Sequence, residues 1–189
     1  MKPAILCAVL GAALLVASCN KQENAAAPPP FALTQDAMGR YCGMNVLEHP
    51  GPKGQIILQQ VPEAIWFSSA RDTLAFTMLP EEPRDIAAIY VSDMSKAPTW
   101  DEPGAENWID AKTAFFVIGS ARRGGMGTEE AVPFSSEADA RAFAGEHGGR
   151  VVRFEEMPQD YILGSGAQVP PEGTGAAEET TDTQGHNHG

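Results

Sequence analysis

The pattern of apolar and polar residues repeats along the chain. Residues 63–76, EAIWFSSARDTLAF, align without a gap with residues 130–143, EAVPFSSEADARAF. In each copy an extended apolar run ends at the first serine, and the second serine is a residue type that caps helices. The alanine and phenylalanine positions that follow fall on one helical face. Each copy therefore predicts a strand and then a helix, and Gly148 or Gly149 should end the second helix.

Further apolar runs flank each copy and predict more strands. QIILQQ precedes the first copy and IAAIYVSD follows it, while TAFFVIGS precedes the second copy and RVVRFEE follows it. The pattern thus predicts two β-β-α-β units, at about residues 55–92 and 113–155. Two such units should pack into one small α+β domain, either by joining their sheets or by stacking them. The sequence leaves both arrangements open.

Segments without apolar periodicity bracket this predicted domain, which spans about residues 31–164. Residues 19–30 are polar and then rich in alanine and proline, which is typical of a flexible tether. Residues 165–189 are rich in Gly, Glu, Thr and Pro, which predicts a disordered acidic tail. The tail carries His186 and His188, which could hold Cu(II) or Zn(II) weakly, although a solvated end is the favoured interpretation.

The amino terminus predicts a lipoprotein signal peptide at residues 1–18. Lys2 precedes an apolar run of 14 residues, which is shorter than the ~20 residues that a membrane-spanning helix needs. The run ends in LLVASC, which resembles the bacterial lipobox, so we expect Cys19 to carry a lipid anchor. An ordinary signal peptide is the alternative. Because Asn20 follows Cys19, we expect the anchor to lie in the outer membrane, with the domain on its periplasmic side.

Size and charge restrict the function further. The chain has 189 residues, or 171 after removal of residues 1–18 (189 − 18), which is enough for one domain with a core. Its formal charge is −12, and −13 once Lys2 is removed. This charge argues against nucleic-acid binding, which needs clustered Lys and Arg. It also argues against electrostatic adhesion to anionic lipid, so the lipid anchor would hold the protein at the membrane.

Sulfur residues are the candidate chemistry. Of three cysteines, Cys7 lies in the predicted signal peptide and Cys19 would be lipidated, so Cys42 is left without a disulfide partner. Cys42 and Met44 lie in the segment GRYCGMN. Met126 lies between two glycines in ARRGGMGTEE, an insertion between the leading strands of the second unit that the first unit lacks.

Thiolate and thioether groups select soft ions such as Cu(I), which is satisfied by two or three ligands. We therefore expect Cys42, Met44 and Met126 to meet at one metal. The alternatives are a small buried side chain for Cys42 and core filling for the methionines. His49, in LEHPG, is a weaker candidate ligand, for which an exposed position in a turn is the favoured interpretation.

Three segments in combination resemble the NosL family, the lipoprotein accessory factors of nitrous oxide reductase: YCGMNVLEHPGPKGQI, RDIAAIYVSDM, and FFVIGSARRGGMG leading into EAVPF. The resemblance spans about residues 33–164 and includes the lipobox, but not the histidine-bearing tail. It implies that the protein binds Cu(I) in the periplasm and passes it, through a membrane-bound ABC-type maturation complex, to nitrous oxide reductase. It places the family's sulfur ligands on Cys42, Met44 and Met126. The family fold also resembles that of organomercurial lyase, in accord with the internal repeat.

Three functions follow from these observations, and a metal-delivery protein that is not an enzyme is favoured. An enzyme of the organomercurial-lyase kind would need more than one cysteine and a carboxylate that delivers the proton. The mature chain would have one cysteine. The third possibility is an interaction lipoprotein that binds no metal.

Overall fold

A computed structural model describes residues 26–164 of the chain. The first repeat unit and the strand after it consist of β1 (Gly54–Leu58), β2 (Ala64–Phe67), α1 (Ala70–Met78), β3 (Ile86–Ser92) and β4 (Trp108–Asp110). The second repeat unit consists of β5 (Phe115–Ile118), β6 (Val132–Phe134), α2 (Glu137–His147) and β7 (Arg150–Arg153). Three short helical segments complete the fold: 3-10 turns at Val46–Glu48 and Phe154–Glu156, and helix α3 (Gln159–Leu163).

Both predicted β-β-α-β units are present, and the predicted α+β class is confirmed. The strands form two antiparallel sheets, with the order β2-β1-β3-β4 in one and β6-β5-β7 in the other. The units therefore keep separate sheets. The sequence analysis missed β4, which pairs with the end of β3 in the register Val91 with Ile109. A strand of three residues is too short to show a period of two.

The serine repeat caps both long helices, as its pattern predicts. The Ser69 hydroxyl oxygen accepts a hydrogen bond from the Asp72 backbone N–H at 3.0 Å in α1. In α2 the Ser136 hydroxyl oxygen accepts from the Asp139 backbone N–H at 3.3 Å. Helix α2 ends at His147, and Gly148 follows with φ 77°, a conformation that glycine adopts without strain.

The core that buries α1 draws on both sheets. Leu74 and Phe76 of α1 lie in one cluster with Ile56 of β1 and with Phe116 of β5. The next residue along β5, Val117, points to the opposite face of its sheet and packs in a second cluster with α2. Helix α1 is thus shared by the two units, whereas α2 covers only the second sheet.

A buried aspartate joins the ends of β3 and β6. The Asp93 carboxylate accepts hydrogen bonds from the backbone N–H groups of Ser135, at 2.9 Å, and Ser95, at 3.1 Å. Burial alone would raise the pKa of this carboxyl, but these hydrogen bonds outweigh it and lower the pKa. The neighbouring Met94 N–H donates to the Pro133 carbonyl at 2.9 Å. Asp93 therefore fixes the first unit to the second.

Several sequence predictions fall outside the described residues. These are the signal peptide at residues 1–18, the lipid anchor at Cys19 and the tail at residues 165–189. Within residues 26–164, none of the helices has the length and apolar character needed to cross a bilayer.

Replacing Asp93 with alanine should destabilise the whole domain. The change leaves two partly buried backbone N–H groups without their acceptor, so we expect a loss of roughly 1–3 kcal/mol in the free energy of unfolding. Urea denaturation at pH 7 measures it. The control is Lys96→Ala, which removes the ion pair with Asp93. Because the Lys96 side chain is exposed, its removal should cost less than about 1 kcal/mol. Equal losses in the two variants would contradict a role for Asp93 as the junction.

Candidate metal centre

Cys42 and Met44 lie on a tight turn that precedes β1. The Gly39 N–H donates to the Met44 carbonyl at 2.9 Å, and the Gly43 N–H donates back to the Gly39 carbonyl at 2.8 Å. Gly43 has φ 64°, a left-handed conformation that favours glycine. These bonds hold the two sulfur residues of the C-x-M pair in one short loop, which we call the Cys42 loop (residues 39–44).

The thiol of Cys42 lies against the start of α1. Its Sγ is 3.5 Å from the Ser68 hydroxyl oxygen and 4.0 Å from the Met44 carbonyl oxygen. A Cβ atom on Gly39 would lie 2.5 Å from this Sγ, so the glycine leaves the space that the sulfur fills. Ser68 directly precedes Ser69, the N-cap of α1. Cys42 is partly exposed and belongs to none of the core clusters, which disfavours its interpretation as a core residue.

Both candidate thioethers are exposed. Met44 is 39% exposed and Met126 is 45% exposed, so neither fills the core. Met126 lies in the connection between β5 and β6, as the sequence predicts. A small turn forms there: the Gly124 N–H donates to the Thr128 carbonyl at 2.9 Å, and the Gly127 N–H donates to the Gly124 carbonyl at 2.9 Å. We call residues 124–128 the Met126 loop.

His49 is buried, and the expectation of an exposed turn histidine is wrong. The residue is 9% exposed, because the Met126 loop packs on it. A Cβ atom on Gly125 would lie 2.5 Å from His49 Cβ, and the His49 Nδ1 lies 3.3 Å from the Gly125 carbonyl oxygen. The other ring nitrogen, Nε2, is buried and has no hydrogen-bond partner among the described residues. A buried imidazole nitrogen without a partner is chemically suited to a metal ligand.

Glu130 joins the chain just after the Met126 loop to the first turn of α1. Its Oε1 accepts hydrogen bonds from the backbone N–H groups of Arg71, at 2.8 Å, and Ala131, at 2.9 Å. Its Oε2 faces Gly124, since a Cβ atom there would lie 2.5 Å away. The Cys42 loop reaches the same end of α1 through Ser68. The two sulfur loops thus both adjoin the amino-terminal end of α1, the Cys42 loop through Ser68 and the Met126 loop through the nearby Glu130.

The loops cover a buried polar cluster that the sequence analysis missed. Glu130 is 1% exposed, and burial raises the pKa of its carboxyl to about 8. Lys53 is also buried. Its amine donates to the His49 carbonyl, and burial lowers its pKa to about 8. No spacing in the sequence marks these residues. Glu63, which occupies the position of Glu130 in the first repeat, is exposed.

The donor set is unlike that of a hard-metal site. Within residues 26–164, no three His, Cys, Asp or Glu side chains are grouped so that they could hold a metal ion. The available donors are instead one thiol, two exposed thioethers and one imidazole. Such donors suit a soft ion rather than Ca²⁺ or Mg²⁺, which take oxygen ligands. The predicted anchor residue, Cys19, lies outside the described residues.

Comparison with known proteins identifies the family. A family profile described as NosL matches residues 30–162. The chain belongs to the NosL family. A protein of Achromobacter cycloclastes named copper-binding lipoprotein NosL is 47% identical over 156 residues, which is 82% of this chain and 81% of that protein. A Stutzerimonas stutzeri protein with the same name is 38% identical over 157 residues, 83% of this chain and 80% of that protein.

A solved NosL structure shares the fold. The crystal structure described as the copper chaperone NosL from Shewanella denitrificans matches with a TM-score of 0.65 and 37% identity. The match covers 70% of this chain and 98% of that one. The resemblance to NosL that the three sequence segments indicate is therefore confirmed, both for the family and for the fold. The likeness to organomercurial lyase stays a prediction.

The stability of the domain should depend on the protonation of Glu130. In the unfolded chain this carboxyl has a pKa near the ordinary value of 4.5, against about 8 in the fold. Between these values the folded protein holds a proton that the unfolded chain releases. Stability is therefore fully present below about pH 4.5 and falls as the pH rises towards 8.

Glu130→Gln isolates this effect, because its amide oxygen keeps an acceptor for the Arg71 N–H and carries no charge. Between pH 5 and pH 8 the wild type should lose roughly 1–3 kcal/mol more free energy of unfolding than the variant. Urea denaturation at both pH values measures the difference. The matched control, Glu129→Gln, changes a half-exposed neighbour and should follow the wild type. Parallel pH profiles for wild type and Glu130→Gln would refute the assignment.

Proposed function

We propose that this protein carries Cu(I) on the periplasmic side of the membrane, with Cys42, Met44 and Met126 as ligands. The observation that carries the proposal is the position of the sulfur loops. Cys42 and Met44 share one tight turn against the start of α1, and Glu130, two residues after the Met126 loop, bonds to the same end of α1. All three side chains are at least partly exposed, which a carrier needs because its partner must reach the metal.

The names of the relatives support copper as the metal, since both curated relatives are described as copper-binding and the solved structure as a copper chaperone. The donors favour Cu(I) as the oxidation state. A thiolate neutralises the charge of Cu(I), and thioethers add soft lone pairs without further charge. With two or three such ligands the ion is held in an open site. It can leave when a partner supplies a competing sulfur or nitrogen ligand, so dissociation into water is not required.

His49 is proposed as a further ligand in some states of the site. Its Nε2 has no hydrogen-bond partner among the described residues. The ring also lies directly under Gly125, the neighbour of Met126. A movement of the Met126 loop would therefore change access to this nitrogen and the position of the thioether together. Such a loop could add or remove two donors at once during transfer.

The receiving partner and the location rest on the family resemblance. We propose that copper passes to an ABC-type maturation complex and through it to nitrous oxide reductase, so that the protein acts in maturation and catalyses no reaction itself. The relatives are named lipoproteins. By the same inference Cys19 carries the lipid, and the domain faces the periplasm from the outer membrane.

Ligand substitutions test the copper site. In a Cu(I) titration against a chromogenic chelator, Cys42→Ser should weaken binding most, because it removes the charged ligand. Met126→Leu nearly conserves volume, so it should keep the fold. Loss of a residue that only orients a metal ligand typically weakens metal binding by about tenfold or more. Loss of a direct ligand should cost at least as much, so Met126→Leu should weaken Cu(I) binding by at least about tenfold. Met44→Leu should behave as Met126→Leu does.

Met38→Leu is the matched control for these variants. Met38 is more exposed than either proposed thioether ligand and directly precedes the Cys42 loop. The affinity of Met38→Leu for Cu(I) should equal that of the wild type. Deletion of residues 165–189 should also leave the affinity unchanged. If Met126→Leu bound Cu(I) with wild-type affinity and an unchanged absorption spectrum, the metal would have to lie on Cys42 and Met44 alone. A wild-type chain that bound no Cu(I) would point to a metal-free interaction lipoprotein.

The anchor is tested by changing its cysteine. Cys19→Ala should be found soluble or unprocessed, because without the thiol no thioether to lipid can form. Membrane fractionation with an antibody against the domain measures this, and separation of inner from outer membranes locates the wild type. The control is Cys7→Ala, which changes a cysteine of the predicted signal peptide and should leave processing intact. Fully processed Cys19→Ala in the membrane fraction would refute the anchor.

A further inference from the structure

One buried carboxylate holds both residues that precede Cys42. Glu82 lies in the turn after α1 and is almost fully buried. Its Oε2 accepts from the Arg40 guanidinium at 3.1 Å, and its Oε1 accepts from the Tyr41 hydroxyl at 3.1 Å. These are its side-chain hydrogen bonds among the described residues, and both reach the Cys42 loop. The side chain therefore serves the loop and not the helix that it follows.

The remaining contacts of this segment join Arg40 and Tyr41 to β2 and leave Cys42 partly exposed. The Arg40 N–H donates to the Trp66 carbonyl at 2.7 Å, which lays the start of the loop along β2. The Tyr41 ring packs against Phe67, with ring centroids 5.6 Å apart. Burial, together with the hydrogen bond to Glu82, raises the pKa of the Tyr41 hydroxyl. Cys42 follows Tyr41 directly and is partly exposed, so the hydrogen bonds of Glu82 end on the residue before the first proposed sulfur ligand.

We propose that Glu82 is a positioning residue of the metal site, which holds the Cys42 loop in its metal-binding conformation by binding Arg40 and Tyr41 together. This inference rests on the proposed copper-carrier function. Ordering a flexible loop costs free energy at the moment of binding, and a loop that is already ordered avoids that cost. Groups that orient metal ligands contribute to affinity without touching the metal.

Two measurements on the mature chain, purified in detergent, test the role of Glu82. The first is Cu(I) affinity by chelator competition, together with the ultraviolet band of the Cu(I)–thiolate bond. The second is the rate at which iodoacetamide alkylates Cys42 without metal, which reports the loop conformation independently of copper. With Cys19 lipidated, Cys42 is the remaining thiol of the mature chain.

Glu82→Gln should bind Cu(I) about tenfold more weakly than the wild type. Its Cys42 should be alkylated several-fold faster, because the loop opens. Glu82→Ala, which removes both hydrogen bonds, should show larger changes. Glu81→Gln is the matched control: it removes the same charge from the exposed neighbouring position and should match the wild type in both measurements. Tyr41→Phe keeps the ring against Phe67 and removes one hydrogen bond, so it should show a smaller change in the same direction.

The outcomes separate this inference from the proposed function. If the wild type binds Cu(I) and a folded Glu82→Gln matches it in affinity and alkylation rate, Glu82 is not a positioning residue and the carrier function stands. If the wild type binds no Cu(I), the carrier function is refuted, and the role of Glu82 in a metal site is refuted with it. If Glu82→Gln does not fold, Tyr41→Phe decides: altered affinity and alkylation support the role, and wild-type values for both overturn it.

Discussion

The amino-terminal end of α1 is the constraint on which the rest of the structure depends. The first N–H groups of a helix have no partner within the helix, and here Ser69, Ala70 and Thr73 are buried, which restricts the access of water to this end. Ser69 accepts from one of these groups in the usual way, as a local cap. A second group, the Arg71 N–H, is satisfied by Glu130, which comes from the other repeat unit. The helix can therefore be completed only when both units are in place.

This shared helix end also brings the chemistry together. Ser68, next to the cap, lies against the Cys42 sulfur. Glu130 contacts the Met126 loop at Gly124, and His49 contacts it at Gly125. Ser68, Glu130 and His49 are buried, whereas the three sulfur side chains are at least partly exposed. A site of this kind can hold a soft ion in a defined place and still present it to a partner, which an enclosed structural metal site could not do.

The same arrangement has an energetic cost. A carboxylate buried at the helix end is desolvated, as its raised pKa shows, and a buried amine with a lowered pKa lies in the same cluster. Replacing such groups with apolar residues often stabilises a protein. Here Glu130 joins the chain just after the Met126 loop to α1, and Lys53 binds the carbonyl of His49, on which that loop packs. These buried polar groups thus lower the stability of the domain but give the loop a defined position beside the candidate metal site.

The sequence by itself determined the local structure and the chemistry. The serine caps, the two β-β-α-β units and the end of α2 follow from residues close together in the chain, and CGM and GGMG mark the candidate sulfur donors because side-chain chemistry is a property of the residue. The burial of individual residues and the contacts between residues far apart in the chain were decided only by the tertiary structure. Glu130 is buried although its repeat counterpart Glu63 is exposed, and Glu82 meets Arg40 from 42 positions away. His49 is buried by a loop 76 positions along the chain. Burial and long-range pairing depend on which surfaces meet when the units pack. No periodicity or residue spacing within one sequence indicates which surfaces these are.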